Sequence, residues 1–340
     1  MQHILSGGKL LDANGVLCEA GYSTSLVKEY DRAAIKAGRL RIKEWDYYLI
    51  YNQSFGIALT IDDNSYMGLL SASFLDFGIP AEKTKSLMSF MPMGKTGMPR
   101  TSAAGDVCLK VKDAELQFLN DSGTRRLICS FPDFDGGKPL EADLTLTDEP
   151  EDSMVIATPF KEKKTAFYYN QKIVGMRAEG SVTYKGKKYI MDDSFGLLDW
   201  GRGVWTYDNT WYWGAAQGRV DEKAFGFNIG YGFGDTSAAG ENMIFYEGRA
   251  HKLEGVEFKI PEGVNGPDFM SPWEFVSTDG RFEMSFQPII DRKALTSALV
   301  IMSDQHQVFG KFSGRAVLDG GTAVEIKDFL GFAEVVRNKW

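Results

Sequence analysis

Short segments in which apolar and polar residues alternate are the feature that most limits how this chain can fold. The alternation is clear at residues 115–119, 140–146 and 308–317. A period of two places one face of a β-strand against a core and the other face in water. Turn-forming residues separate such segments, as at Tyr184–Tyr189, where Gly186 can take a positive φ angle. Many short strands with few helices predict an all-β protein, built from barrels or sandwiches.

Two segments depart from the strand pattern and favour helix. Residues 25–37 are preceded by serines that can cap a first helical turn, and Gly38 can end the helix. We therefore expect a short helical insertion near the N-terminus. The last residues, Phe329–Trp340, are expected to form a short helical turn against which Trp340 docks.

The length of 340 residues allows two domains. The charged segment Asp148–Asp152 contains a proline and interrupts the strand pattern, and a second polar stretch follows at residues 160–165. We expect an N-terminal β domain over residues 1–160. A C-terminal β domain that carries the aromatic cluster described below is expected over residues 161–340.

Charge and cysteine content narrow the class of protein. A net charge of −8 leaves no surplus of basic side chains to neutralise phosphates, which argues against a nucleic-acid partner. Three widely spaced cysteines do not suggest a disulfide framework. The first residues lack the pattern of a signal peptide, and no apolar stretch has the length of a transmembrane segment. We expect a cytoplasmic protein, and its oligomeric state stays open.

Several common catalytic motifs are incomplete in this sequence. Gly94-Lys-Thr resembles the end of a phosphate-binding loop, but Ser89 stands where that loop needs glycine. The glycines at 230–234 do not have dinucleotide-binding spacing, and the three histidines lack zinc-ligand spacing. The chemistry is therefore expected to use carboxylates, tyrosines and arginines, with no metal and no cofactor.

Four of the seven tryptophans fall within fourteen residues, and acidic residues precede them. The tryptophans are Trp200, Trp205, Trp211 and Trp213, and the acidic residues are Asp192, Asp193 and Asp199. Indole rings are rarely left in water, so the cluster is predicted to be buried or to line a cavity. A carboxyl group beside such rings is poorly solvated, which can raise its pKa and make it a proton donor at neutral pH.

The region from Val174 to Gly203 resembles part of a known group of proteins. It contains a glycine-bearing strand, a turn, a second strand and the element Asp199-Trp-Gly, and a Trp-x-Trp strand follows at 211–213. This order resembles the lipocalin-like hydroxyneurosporene synthase and AttH-type proteins, which include the carotenoid 1,2-hydratases. Trp200 stands in place of the histidine of that motif, and Leu197 in place of a tyrosine that the hydratases tend to have.

A second resemblance extends over nearly the whole chain. It rests on Leu11–Gly15, Trp45–Tyr48, Asp62–Tyr66, Asp199–Trp205 and Gly331–Trp340. These segments resemble the bacterial domain of unknown function family 2804, which has no established reaction. The resemblance implies two lipocalin-like (calycin-type) β-barrels in tandem, with an apolar cavity between or within them.

The resulting hypothesis is a cofactor-independent enzyme for an apolar small molecule such as an isoprenoid, a lipid or a polyketide-like compound. It would act as a hydratase, isomerase or cyclase by carboxylate acid catalysis. Asp199 would donate the proton, Arg202 would orient it or bind a polar group, and Asp193 is a further catalytic candidate. Stabilisation of a cationic intermediate by aromatic rings would assist the reaction. The expected ligand-binding residues are Trp45, Tyr47, Asn64, Tyr66, Trp200, Trp205, Tyr207, Trp211 and Trp213.

Other interpretations of the same residues stay open. The chain could be a carrier or sensor that buries an apolar ligand without catalysis. A flat, exposed aromatic strip would instead indicate a glycan-binding protein. Asp199 and Arg202 could also form a purely structural ion pair, and the indoles could fill a barrel core.

Overall fold

A computed structural model describes residues 2–264, 266–298 and 301–339. Within these residues the chain forms twenty-six strands and two short 3₁₀ helices, at Arg32–Ala34 and Arg39–Arg41. The strands, numbered in chain order, are β1 Gly8–Lys9, β2 Gly21–Ser23, β3 Lys28–Glu29, β4 Lys43–Tyr51, β5 Phe55–Asp63, β6 Met67–Asp76, β7 Ala81–Phe90, β8 Val107–Val111, β9 Ala114–Asp121, β10 Thr124–Asp135, β11 Lys138–Thr147, β12 Met154–Phe160, β13 Lys163–Tyr184, β14 Lys187–Ile190, β15 Ser194–Val204, β16 Asp208–Val220, β17 Lys223–Tyr231, β18 Met243–Tyr246, β19 Arg249–Lys252, β20 Val256–Lys259, β21 Glu262–Gly263, β22 Gly266–Pro267, β23 Trp273–Ser277, β24 Phe282–Ala298, β25 Ile301–Val317 and β26 Ala323–Lys339. The prediction of an all-β protein is confirmed.

The first large sheet curls into a nearly closed barrel. Its strand order is β7-β6-β5-β4-β15-β13-β11-β10-β9-β8, and β2, β12 and β14 pair beside this path. Ion pairs help to close the gap between the two ends. Lys85 Nζ on β7 lies 2.7 Å from Asp133 on β10, and Lys83 Nζ lies 3.4 Å from Asp135. Side chains thus connect strands that do not hydrogen-bond through their backbones.

The second large sheet forms a half-barrel in the order β19-β18-β17-β16-β26-β25-β24-β23-β20. The long strands β24, β25 and β26 pair antiparallel over most of their length. The chain passes from the barrel sheet to this sheet between Val204 and Asp208. The strands β12 and β13 flank the expected domain boundary, and they hydrogen-bond to each other within the barrel sheet. The division into domains at residues 160 and 161 stays a prediction.

Three apolar cores follow from the alternation of side chains along the strands. One core fills the barrel, one fills the half-barrel, and one lies between the two sheets. On β4, Tyr48 and Ile50 face the barrel interior, while Tyr47, Leu49 and Tyr51 face the half-barrel. Both faces of β4 are buried, because the outer side of this barrel wall is covered by the second sheet.

The two helices expected from the sequence are not formed. Instead of a helix at residues 25–37, β3 pairs with β1 and the 3₁₀ helix Arg32–Ala34 follows. Backbone groups of this segment form hydrogen bonds with other parts of the chain, as Glu29 O does with Leu10 N. This tertiary pairing overrides the local helical preference of the segment. Residues 329–339 continue β26, which is hydrogen-bonded on both sides, by β16 and β25. Trp340 lies outside the described residues.

No helix within the described residues is long and apolar enough to cross a lipid bilayer.

Candidate functional site

A cavity of about 340 Å³ lies between the outer face of the barrel and the facing side of the half-barrel. Its walls come from β4–β7, β13 and β15 on one side, and from β16 and β24–β26 on the other. Thr84, Ser86, Lys293 and Ala294 are its exposed lining residues and mark its solvent side. A cavity of this size can hold a small organic molecule.

A continuous polar row crosses the barrel wall of the cavity. Strand register places the following cavity-lining residues side by side on six neighbouring strands: Lys172, Asp199, Tyr47, Thr60, Ser71 and Ser86. Directly opposed side chains on neighbouring strands lie about 5 Å apart. The row therefore runs from an ion pair at one end to hydroxyl groups at the other.

A second row crosses the half-barrel wall and contains Trp213, Glu334, Gln307 and Arg292. Glu334 accepts hydrogen bonds from Trp211 Nε1 at 3.1 Å, from Gln305 Nε2 at 3.0 Å and from Gln307 Nε2 at 3.1 Å. Burial raises the pKa of Glu334. Tyr47 Oη lies 3.3 Å from Gln307 Oε1 and connects the two rows.

Asp199 lies in the cavity wall among aromatic rings, with a cation beside it. Lys172 Nζ is 2.9 Å from Asp199 Oδ1, and Asn170 Nδ2 donates to the same oxygen at 2.6 Å. The Lys172 ammonium also lies 3.7 Å from the centre of the Trp213 ring, in a cation–π contact. Asp199 is thus held in place by two side chains of the neighbouring strand β13.

Asp62 is a second cavity-lining carboxyl group, and its environment differs from that of Asp199. It is buried, and its Oδ1 has no hydrogen-bond partner among the described residues. Burial raises the pKa of Asp62 to about 7, against the opposing effects of the Leu69 backbone N–H and the Lys43 charge. Burial likewise lowers the pKa of Lys43 to about 7. Asp62 therefore carries a proton for much of the time at neutral pH.

Aromatic rings form the wall at the end of the cavity near Asp62 and Asp199. Phe233 contacts the rings of Tyr168, Trp205 and Trp211 at centroid distances of 4.8, 5.3 and 5.1 Å. Trp45 stacks on Tyr168 at 6.1 Å. This wall curves around a cavity and is not a flat exposed strip, so the glycan-binding interpretation loses its structural basis.

Glycine at position 201 makes room for Trp45. A Cβ atom on Gly201 would lie 1.9 Å from the Trp45 indole. We expect Gly201→Ala to displace Trp45 and to cost about 1–3 kcal/mol of stability, because the added methyl overpacks the wall. Tryptophan fluorescence and chemical unfolding measure both effects. The matched control is Gly320→Ala, where a Cβ would meet nothing within 4 Å. Equal spectra and stabilities for the two variants would contradict the packing argument.

Trp200 and Arg202 lie on the opposite face of β15 from Asp199, inside the barrel. Trp200 packs edge-on against Tyr30 and Tyr169. Arg202 is fully buried, and its Nη1 lies 2.9 Å from Asp46 Oδ1. Its other nitrogens donate to the Pro99 carbonyl. Arg202 forms no ion pair with Asp199, because residues three apart on a strand face opposite sides.

Three further residues expected at the site do not line the cavity. Asp193 is exposed in the turn before β15, with a φ of 46°. Tyr207 is 46% exposed. Tyr66 is half-buried, and its ring is 5.0 Å from Lys43 Nζ. The cavity does bring together Trp45, Tyr47, Asn64, Asp199, Trp205, Trp211 and Trp213.

Sequence reasoning missed Lys172, Glu334, Asp62 and Arg292 as site residues. The sequence does indicate that Lys172 and Glu334 are unusual, because each is a single charge inside an otherwise largely apolar strand segment. Charged side chains are rarely fully buried unless they are paired, so such a position is informative. The sequence Asp62-Asp-Asn is typical of a turn, which hides Asp62 as a strand residue, but it belongs to β5. No local pattern distinguishes Arg292.

No group of three or more His, Cys, Asp or Glu side chains is placed to hold a metal ion in the part of the chain that the structure describes.

Comparison with solved structures finds similarity over most of the chain. An AttH-like protein from Nitrosomonas europaea superposes with a TM-score of 0.54 at 13% identity, over 87% of this chain and 92% of that one. Kievitone hydratase from Nectria haematococca gives a TM-score of 0.46 at 12% identity, over 88% of each chain. No curated protein matches the sequence. The first structure supports the lipocalin-like fold class predicted from the sequence.

The family model of the domain of unknown function DUF2804 matches residues 1–340. Its match covers every segment on which the resemblance in the sequence rested. The chain therefore belongs to the DUF2804 family.

Proposed function

We propose that the chain is an enzyme that adds water to a carbon–carbon double bond of a small unsaturated molecule, or shifts that bond, by general acid catalysis. The observation that carries the proposal is the placement of two carboxyl groups with different surroundings in one aromatic-walled cavity. Asp199 is ion-paired with Lys172, whereas Asp62 is buried and its Oδ1 has no hydrogen-bond partner in the described part of the chain. Two carboxyl groups in contrasting environments can have different pKa values, so that one serves as a general acid and the other as a general base.

Asp62 is the better candidate for the proton donor. Its raised pKa favours a protonated carboxyl group at neutral pH, and its Oδ1 has no hydrogen-bond partner among the described residues. Proton transfer from Asp62 to one alkene carbon leaves a cation on the other carbon. The rings of Trp45, Trp205 and Trp211 would stabilise that cation.

Asp199 is the candidate acceptor for the proton that the added water loses. The hydrogen bond from Asn170 and the ion pair with Lys172 both reach Oδ1, and among the described residues Oδ2 has no partner. Water attacks the cation, its oxygen forms the new carbon–oxygen bond, and its extra proton passes to the carboxylate. Asp199 then releases that proton to solvent and Asp62 regains one from solvent, so the net reaction is addition of one water. For a bond shift, loss of a neighbouring proton to the same carboxylate replaces the attack of water.

Mass spectrometry of reactions run in D₂O tests the proposal. The protein is incubated with a panel of isoprenoid, enone and polyketide-like alkenes. We expect a product that carries one carbon-bound deuterium, and for hydration a mass gain of one D₂O. A compound that binds in native mass spectrometry but returns unchanged and unlabelled would instead support the carrier interpretation, which the preformed cavity also allows.

A further inference from the structure

Arg292 is a cation in the cavity, and none of the acidic side chains that the structure describes is paired with it. Its side chain is half-buried, its Nη1 donates to Ser73 Oγ at 2.8 Å, and its Cζ lies 6.0 Å from the centre of the Tyr47 ring. Among the described residues no carboxylate lies within ion-pair distance of this guanidinium. Lys172 in the same cavity is, by contrast, already paired with Asp199.

The nearest acid in its row does not fill this role. Glu334 lies two strands away from Arg292, which corresponds to about 10 Å between backbones. Glu334 already accepts three hydrogen bonds, from Trp211, Gln305 and Gln307. The remaining donors of the guanidinium are therefore available to a molecule in the cavity.

Arg292 also lies at the opposite end of the cavity from Asp62. Asp62 is paired across strands with Leu69, and Ser73 lies four residues further along β6, about 13 Å away. The surroundings of Ser73 are rich in hydroxyl groups. Ser73 Oγ lies 2.8 Å from Thr84 Oγ1, and Ser71 Oγ lies 2.9 Å from Ser86 Oγ. The cavity thus has one end with carboxyl groups and indoles, and another with a cation and hydroxyl groups.

We propose that Arg292 binds an anionic head group of the ligand, while the unsaturated body extends toward the indoles. The guanidinium presents a planar set of donors that suits a carboxylate or a similar anion. The hydroxyl groups of Ser71 and Ser86 can donate to the same head. The substrate of the proposed reaction would then be an amphiphilic, unsaturated organic acid. The placement of its unsaturated end beside the indoles rests on the proposed function.

Two fluorescent probes that differ in one charged group test the assignment. 1-Anilinonaphthalene-8-sulfonate carries an anionic sulfonate, and N-phenyl-1-naphthylamine has the same aromatic skeleton without it. Quenching of tryptophan fluorescence reports binding beside the indole wall. We expect Arg292→Gln to lower the affinity for the anionic probe by about 10- to 100-fold and to leave the affinity for the neutral probe unchanged.

The control variant is Lys311→Gln, which removes one positive charge from an exposed position on β25. It should leave both affinities unchanged, and Arg292→Lys should retain part of the preference for the anion. Unchanged binding of the neutral probe also shows that the Arg292→Gln cavity is intact. Equal losses for both probes, or an equal effect of Lys311→Gln, would overturn the assignment.

The outcomes separate this inference from the proposed reaction, because the measurement does not involve turnover. If Arg292→Gln leaves the affinity for the anionic probe unchanged, the head-group assignment is wrong, whereas the acid role of Asp62 is unaffected. If the wild-type protein binds neither probe, the cavity does not accept aromatic ligands, and both proposals are overturned.

Discussion

Asp62→Asn is expected to lower kcat by about 10²–10⁴-fold, because the amide cannot donate the proton that starts the reaction. The change is nearly isosteric, so the cavity and the strand pairing of β5 should persist. The variant should still bind the substrate, since the indole wall is untouched. Steady-state kinetics on a substrate identified by the D₂O screen, together with circular dichroism, provide the measurement.

The pKa of Asp62 also predicts the pH dependence. Burial raises that pKa to about 7, and only the protonated carboxyl group can donate. Activity should therefore be highest below about pH 7 and should fall as the pH rises through that value. The unfolded chain releases this proton near pH 4. Because the folded state keeps the proton longer, the stability contributed by Asp62 decreases between about pH 4 and 7.

These effects distinguish an acid from a structural carboxyl group. Above pH 7 the wild type has to bury an Asp62 carboxylate, so Asp62→Asn should be no less stable than the wild type there. Asp113→Asn, at an exposed turn of the same sheet, serves as the control and should change neither activity nor stability. A kcat of Asp62→Asn within about twofold of the wild type would rule out the acid role.

Arg202→Leu is expected to destabilise the protein by about 3–5 kcal/mol, the largest stability change that we predict. Arg202 is fully buried and pairs with Asp46 at 2.9 Å. Its bonds to the Pro99 carbonyl also hold the segment between β7 and β8 against the barrel. Removal of the guanidinium leaves the buried Asp46 carboxylate without its cation. Guanidinium chloride unfolding followed by tryptophan fluorescence measures the loss.

A surface pair on the same barrel provides the comparison for Arg202. Arg126 makes two hydrogen bonds to Asp143, at 2.8 and 2.7 Å, but is exposed to solvent. Arg126→Leu should change stability little, because exposed ion pairs are screened by water. The double variant Arg202→Leu with Asp46→Leu should recover part of the lost stability. If Arg202→Leu unfolds at the same denaturant concentration as the wild type, the structural role is wrong.

Much of the architecture was predictable, because strand alternation is a local property. The period of two identified an all-β chain, and the resemblance in the residues identified its fold class and family. The same period determines that Asp199 and Trp200 point to opposite faces of β15. The expected helix at residues 25–37 was wrong, because its backbone pairs with a distant strand, β1. Local preference cannot anticipate that pairing.

The candidate site was predictable only in part, for the same reason. The clustering of Trp205, Trp211 and Trp213 is visible in the sequence, and these three residues line the cavity. Their chemical partners come from segments far away along the chain. Lys172 reaches Asp199 through strand register, and Glu334 and Arg292 arrive on β26 and β24 of the other sheet. Nothing near the tryptophans in the sequence indicates these charges.

By itself, the sequence determined which residues share a face of each strand, because that depends only on the geometry of an extended backbone. The tertiary structure alone decided which two faces enclose the cavity, since sheet packing depends on contacts between distant segments. It therefore also decided that Asp199 meets an ammonium group, that Asp62 is buried beside indoles, and that Arg292 lies across the cavity from both.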